Sequence, residues 1–310
     1  MSLAPPQDAA LATVRDGRPS GALDGVCIII PAFNERGAID DTIRQVRTVL
    51  AGVPQRTEIV VVDDGSTDGT GDLAEAAGVR VVRLLQNSGY GAALKAGIAA
   101  TEAEYIVIMD ADGTYPPEAI PRLLELAAGA DMVVGARAAR DISIPAVRRP
   151  AKWMLAKLSG YLVGQRIPDL NSGLRVMRRS VLLDFLHLLP SGFSFTSTIT
   201  LALMSTMHRV VYEPVVCKMR IGSSKLRAVD FTNFVILVLR TVVLFNPLKI
   251  FLPLGTLLCA LGFAKFIYDV YLWNLSESAV MAILAAIIVW SVGLLADMIA
   301  RLQLRPRGRL

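Results

Sequence analysis

In Ile59-Val-Val-Val-Asp-Asp-Gly-Ser-Thr-Asp-Gly-Thr70, four apolar residues run straight into two adjacent carboxylates and a Gly-Ser turn. The apolar run reads as a buried strand of a parallel sheet, since such strands lie covered on both faces and lose the usual alternation. Open α/β sheets bind their ligands outside the carboxyl ends of the strands. Asp63 and Asp64 therefore fall where a ligand would sit. Alone, the segment also fits a capped βα turn, with Ser66 or Thr67 as N-cap of the next helix.

Two further segments share the design. Cys27-Ile-Ile-Ile-Pro-Ala-Phe-Asn-Glu35 is an apolar strand stopped by Pro31, with Asn34 and Glu35 leading into a helix that runs to about Leu50. Tyr105-Ile-Val-Ile-Met-Asp-Ala-Asp-Gly113 is a strand ending in Asp110 and Asp112. Side chains two apart in an extended chain point the same way. The two carboxylates can face one hard cation, or divide between a cation and a ribose hydroxyl. Oxygen ligands suit Mg²⁺ or Mn²⁺, ions that bridge carboxylates to substrate phosphates.

The order Pro-Ala-Phe-Asn-Glu35, Val62-Asp-Asp-Gly-Ser-Thr-Asp-Gly-Thr70, Asn87-Ser-Gly-Tyr-Gly-Ala-Ala-Leu-Lys-Ala-Gly97 and Asp110-Ala-Asp112 resembles the family 2 glycosyltransferases. Within them it is most similar to dolichol-phosphate mannose synthases and bacterial polyprenyl-phosphate relatives, over roughly Val26 to Leu226. The resemblance implies a Rossmann-like, GT-A type α/β domain with a mostly parallel sheet. It implies inverting transfer of a hexose from a UDP- or GDP-linked sugar to dolichyl or undecaprenyl phosphate. It makes Asp112 the principal metal ligand, with Asp110 on the ion or the nucleotide. Pro31, Phe33, Glu35, Asp63, Asp64, Asp110, Ala111 and Asp112 would line the nucleotide-sugar pocket, Asp63 before Asp64 as the contact to the base. Relatives often carry Gln or His where this chain has Thr114, a weaker ligand.

The chain has 310 residues, enough for one ordinary α/β domain and about a hundred residues more. Its mean hydropathy of +0.50 is high, and the excess is local. Residues 250–264 and 279–296 carry no charge. A membrane span takes about 20 helical residues. The second stretch reaches that by running on to Ile299, the first only if Lys265 snorkels. Tyr268, Tyr271 and Trp273 suit an interfacial aromatic belt. The other reading is a pair of buried core helices. The tail from Arg301 holds four arginines and no acid, whereas Asp269 to Ser278 has no Lys or Arg. The positive-inside rule then puts both ends of the hairpin, and the catalytic domain, in the cytoplasm at the inner membrane. Met1 to Asp24 lacks an apolar core and reads as a tail, not a signal peptide. Cys27, Cys217 and Cys259 are scattered in apolar runs and read as core residues, not a disulfide frame or metal site. The expected division is a tail at 1–24, a glycosyltransferase domain at 25–228, an interfacial helix at 229–247, and a transmembrane hairpin with basic tail at 248–310.

Charge is segregated. From Ile59 to Ala136 there are twelve acids and four bases, and from Arg137 to Arg179 ten bases and two acids. The basic block contains Ala151, Met154, Leu155, Leu158 and Leu162 on one helical stripe, the pattern of an interfacial helix. A second such helix is expected at 233–245. A polyprenyl phosphate is already an anion and needs cations more than a strong base. Arg137, Arg149, Arg220, Ser223, Ser224 and Lys225 are the expected phosphate ligands, and Arg137 and Arg220 join Asp112 as catalytic candidates. Asp169, in Asp169-Leu-Asn-Ser-Gly-Leu-Arg175, leans structural, as an N-cap or an ion pair with Arg175 or Arg178; a role as catalytic base stays open. The expected partners are a nucleotide sugar, a polyprenyl phosphate and the membrane, with a homo-oligomer left open and no nucleic acid. The alternatives are a hydroxyl-directed polysaccharide or glycolipid glycosyltransferase, or a tethered sugar-nucleotide-binding protein without transfer activity. Against a polysaccharide synthase, the chain has no Gln-x-x-Arg-Trp segment.

Overall fold

The computed structural model describes residues 25–137, 160, 164, 167–192, 194–217, 247–273 and 277–303. Apart from residue 160, the interfacial helices expected at 151–162 and 233–245, and Arg149, Arg220, Ser223, Ser224 and Lys225, lie outside them.

Among the described residues seven strands form one sheet: β1 (Gly25–Ala32), β2 (Arg56–Asp63), β3 (Arg80–Arg83), β4 (Tyr105–Ile108), β5 (Met132–Arg137), β6 (Arg175–Arg178) and β7 (Val210–Val215). Their spatial order is β3-β2-β1-β4-β6-β5-β7. Every pairing is parallel except those of β6, which runs against both β4 and β5. This is a GT-A-like α/β fold. Helices α1 (Ile39–Leu50), α2 (Thr70–Ala76), α3 (Tyr90–Ala99), α4 (Ile120–Ala127), α5 (Arg179–Phe185) and α6 (Phe195–Ser205) intervene along the chain.

The apolar strands are buried on both faces, as their sequences require. Val26, Ile28 and Ile30 join Val61, Val107, Val133 and Val176 in a core with Ile39, Ile43 and Val46 of α1 and Ile120 and Leu123 of α4. The alternate residues face α3, where a side chain at Gly97 would collide with Ile29 and Val62.

The sequence placed a stop at Pro31, yet β1 continues through it to Ala32, with Pro31 opposite Val62. The Ile29 carbonyl bonds across to Met109, so the ring nitrogen two residues on faces the same side. There β4 has already ended at Ile108, and no ladder donor is needed. Likewise α1 begins at Ile39, after a turn in which Ala38 and Ile39 donate to the Glu35 carbonyl.

Helices α7 (Leu248–Tyr271) and α8 (Glu277–Gln303) are long enough to cross a hydrocarbon core of about 30 Å. Their most apolar windows have mean hydropathies of 2.0 and 2.6, with only 11% and 17% of those windows buried. Core helices of a soluble protein would be mostly covered, so these faces call for an apolar solvent. The pair packs closely through small residues: Gly255 lies against the Trp290 ring, Gly293 against Phe251, and Gly262 against Ala282 and Ile283. Lys265 does not extend alone. It pairs with Asp269 one turn on, whose carboxylate is buried.

Candidate active site

The chain runs β1, β2, β3 in one direction and then returns to place β4 on the other side of β1. The order reverses between β1 and β4, and in open α/β sheets ligands bind outside the carboxyl edge at such a point. Pro31 and Ala32 end β1 there with Phe33 to Glu35 following, and Asp110 to Asp112 follow β4 there.

The loops after β1 and β2 are laced together. The Asn34 N–H donates to Ser66 Oγ at 3.0 Å, and the Thr67 N–H to Asn34 Oδ1 at 2.9 Å. The Glu35 N–H donates to Thr70 Oγ1 at 2.9 Å, and the Arg36 N–H to Asp68 Oδ2 at 3.1 Å. Neither Ser66 nor Thr67 caps α2. Its N-cap is Gly69, at φ 87°, and Asp68 accepts from the Thr70 N–H and hydroxyl. The Thr70 hydroxyl bond and those backbone donors hold the Asp68 carboxyl below its ordinary range. Asp63 and Asp64 are 5% and 4% exposed. Asp63 Oδ1 accepts the Ser66 N–H, while Asp64 takes the Ser88 N–H at 2.7 Å on one oxygen and the Gly89 N–H at 2.9 Å on the other. Asp64 thus clamps the loop entering α3. Phe33 is 43% exposed at the same edge, and Pro31 is buried.

The clamp sets up the next contact. Gly89, at φ 98°, and Gly91 press against the backbone of Pro190 to Gly192, where a Cβ would collide. Tyr90 then directs its hydroxyl to Asp110 Oδ1, at 2.9 Å. Burial, followed by the Asp110 charge, pushes the phenol well above its ordinary pKa, so Tyr90 is a fixed donor. The Asp110 carboxylate also lies against Gly173, where a methyl group would overlap it. The Gly173 N–H donates to the buried Tyr115 hydroxyl at 2.7 Å. Ala111 is held through its carbonyl by Thr42 Oγ1 of α1, at 3.0 Å. Asp112 Oδ1 accepts the Thr114 N–H at 3.0 Å.

Arg137 ends β5 beside this edge. Its Nε meets Asp169 Oδ2 at 2.8 Å, its Nη2 meets Oδ1 at 2.9 Å, and its own N–H donates to Oδ2 at 3.2 Å. This corrects the partner expected for Asp169, which is neither Arg175 nor Arg178. The antiparallel direction of β6 is the reason: its entry loop, not its exit, reaches the carboxyl edge, and Asp169 travels with it. Burial works to raise the Asp169 pKa, but the Arg137 guanidinium and the N–H groups of Arg137 and Asn171 outweigh it and hold the carboxyl below its ordinary value. Arg175 is fully buried, and that burial lowers its pKa against the fields of Tyr212, Tyr90, Asp169 and Tyr115.

A divalent ion was expected here. Among the described residues no three His, Cys, Asp or Glu side chains gather into a metal cage. Mg²⁺ and its like do not require one: one or two carboxylates plus substrate phosphates suffice. Asp110 and Asp112 supply hard oxygen donors, and the neighbouring Thr114 Oγ1 is buried with no hydrogen-bond partner among the described residues. The residues present fit such an ion.

Tyr90, Thr42, Tyr115 and Gly173 were not foreseen as site residues, although Tyr90 and Gly173 stand inside quoted motifs. The signal was available in the glycines flanking Tyr90, which mark a close backbone approach.

The family model for glycosyl transferase family 2 matches residues 27–186, and a model for the GtrB C-terminal hairpin matches residues 246–302. The chain belongs to glycosyltransferase family 2. An undecaprenyl-phosphate 4-deoxy-4-formamido-L-arabinose transferase of Klebsiella pneumoniae is 32% identical over 77% of this chain and 73% of that protein. A dolichyl-phosphate hexose transferase of Haloferax volcanii is 30% identical over 66% of this chain and 87% of that protein. An undecaprenyl-phosphate mannosyltransferase of Micrococcus luteus is 32% identical over 65% and 87%. Among solved structures, glucosyl-3-phosphoglycerate synthase from Mycobacterium tuberculosis, crystallised with Mn²⁺, UDP and glucosyl-3-phosphoglycerate, superposes with a TM-score of 0.56 at 22% identity. It covers 73% of this chain and 85% of that one.

Proposed function

We propose that the protein transfers a hexose, with inversion, from a UDP- or GDP-linked sugar to a polyprenyl phosphate at the cytoplasmic face of the membrane. The observation that carries this reading is the pairing, in one chain, of a family 2 domain with a matched C-terminal hairpin of two apolar helices. Relatives named for undecaprenyl- or dolichyl-phosphate acceptors support it.

Asp112 and Asp110 would hold Mg²⁺ or Mn²⁺. When bound, the ion offsets the charge that develops on the diphosphate leaving group. Pro31, Phe33, Glu35 and Asp63 would form the nucleoside pocket, with Asp64 acting through the loop it clamps. The acceptor phosphate attacks as an anion, so the protein has only to hold it in line with the anomeric carbon. Arg137 is one cation suited to holding it. The Nε and Nη2 of this residue are committed to Asp169, and 32% of its side chain stays exposed. Arg149, Arg220, Ser223, Ser224 and Lys225 are the further proposed ligands of the lipid phosphate.

The test is incubation of the full chain in detergent with polyprenyl phosphate, Mn²⁺ and a panel of labelled UDP- and GDP-sugars. Label from one donor should enter the lipid phase, and a chelator should stop it. Label that stays in water as free sugar, or goes to a hydroxyl acceptor, overturns the reading.

A further inference from the structure

Arg175 opens β6 with its side chain wholly buried, and all its hydrogen-bond partners among the described residues are neutral. Its Nε donates to the Ser172 carbonyl at 2.7 Å and its Nη2 to the Leu170 carbonyl at 2.8 Å. Its Nη1 reaches the Thr196 carbonyl at 3.0 Å and the Thr200 hydroxyl on α6. Burying a cation without a carboxylate is costly, and an apolar residue of similar volume would serve a core as well. What an apolar residue cannot do is grip carbonyls on two segments at once. A planar fork with five N–H donors can, and an ammonium, with its donors at one point, cannot reproduce it.

The segment so gripped is the short loop from Asp169 to Leu174. Its first residue makes the two-point pair with Arg137. Its Gly173 packs against the Asp110 carboxylate and donates to Tyr115. Ser172 completes the mount by donating to the Gly135 carbonyl on β5. One buried guanidinium therefore stands behind two of the groups assigned above to the two substrates.

We infer that Arg175 is a positioning residue of the transfer site: by tying the carbonyls of Leu170 and Ser172 to α6, it fixes Gly173 beneath Asp110 and Asp169 on Arg137 together. Being buried, it touches neither substrate and acts through Asp110 and Arg137. The inference rests on the assignment of Asp110 and Asp112 to the donor's metal ion. The loops that shape the nucleoside pocket are laced to one another through Asn34, Ser66 and Thr67, independently of Arg175.

The test uses the full chain in detergent and two variants, Arg175→Lys and Thr200→Val, the second removing one acceptor while leaving the guanidinium in place. Mn²⁺ binding is followed by electron paramagnetic resonance of the free ion, with UDP and with GDP present. Transfer kinetics and melting are measured alongside. Arg175→Lys should weaken Mn²⁺ half-saturation by about tenfold and lower kcat by about a hundredfold, the scale set by misplacing reacting groups by about 1 Å. The KM for the sugar nucleotide should change by less than about threefold. Thr200→Val should move Mn²⁺ binding and kcat the same way by a smaller factor. A residue that only supports folding would lower the active fraction and leave the Mn²⁺ half-saturation of the folded protein alone. Folded Arg175→Lys with wild-type Mn²⁺ binding overturns the inference. So does wild-type binding in Thr200→Val if Arg175→Lys does not fold. Wild-type protein that binds no Mn²⁺ with either nucleotide overturns the metal assignment itself, before any variant is compared.

Discussion

Asp169 and Arg137 lock each other in a two-point ion pair, at 2.8 and 2.9 Å, across the antiparallel junction between β5 and the loop entering β6. The acid is 6% exposed in its side chain and the base 32%. A residue that sequence reading offered as a lipid-phosphate ligand thus arrives already oriented by a carboxylate. Under the proposed assignment, a phosphate would meet the part of the guanidinium that Asp169 leaves uncovered.

Removing Asp169 should therefore hurt twice. Asp169→Ala strands a half-buried guanidinium and should cost about 2–4 kcal/mol, toward the lower end because Arg137 keeps partial contact with water. Denaturant unfolding measures that loss. The acceptor KM should rise more than the donor KM, and an equal rise in both would remove Arg137 from the acceptor side.

The pair also sets a pH dependence. The Asp169 pKa is lower folded than unfolded, so its stabilisation is fully present above its unfolded value, roughly pH 4, and disappears as pH falls through the folded value. Melting temperature followed through that acid range should fall less steeply in Asp169→Asn than in the wild type. Parallel acid limbs would show that other carboxylates govern acid unfolding.

Tyr90→Phe deletes one hydroxyl, the donor to Asp110 Oδ1. Stability should drop by about 1 kcal/mol, the usual worth of such a bond. The kcat should fall by about tenfold at fixed Mn²⁺, partly restored at higher Mn²⁺. Unchanged kinetics would mean that Asp110 keeps its orientation without the Tyr90 hydroxyl.

Asp112→Ala should abolish label transfer to lipid, by at least about a hundredfold, with the circular dichroism spectrum preserved. Near-normal turnover with saturating metal would take Asp112 out of the metal site.

Topology is open to direct measurement. Basic residues flank the outer ends of the two apolar helices at Lys249 and Arg301, and none lies from Asp269 to Ser278. A reporter active only in the cytoplasm should be bright when fused after Leu310 and dark when placed at Asn274. The reverse pattern would refute the cytoplasmic placement of the transfer reaction.

The positions of β1, β2 and β4 were legible because they are local, whereas β3, β5, β6 and β7 were not read as strands. Apolar runs of the right length, closed by Asp63, Asp110 or Pro31, announce these buried strands and their carboxyl ends, and two uncharged stretches announce the long helices. Asp63, Asp64, Asp110 and Asp112 were placed at the edge of a sheet on those grounds alone. The partner of each carboxylate is not a local property. Asp64 meets the N–H groups of Ser88 and Gly89, 24 and 25 residues away, because β3 returns beside β2. Asp169 meets Arg137 because β6 runs antiparallel, and Arg175-Val-Met-Arg178, with a charge at each end, carries no pattern that declares a strand, still less its direction. The burial of Arg175 follows from the same reversal, which turns its guanidinium toward α6. Periodicity and turn chemistry fix where a strand ends; only the order and direction in which strands pair decide what its last residues touch.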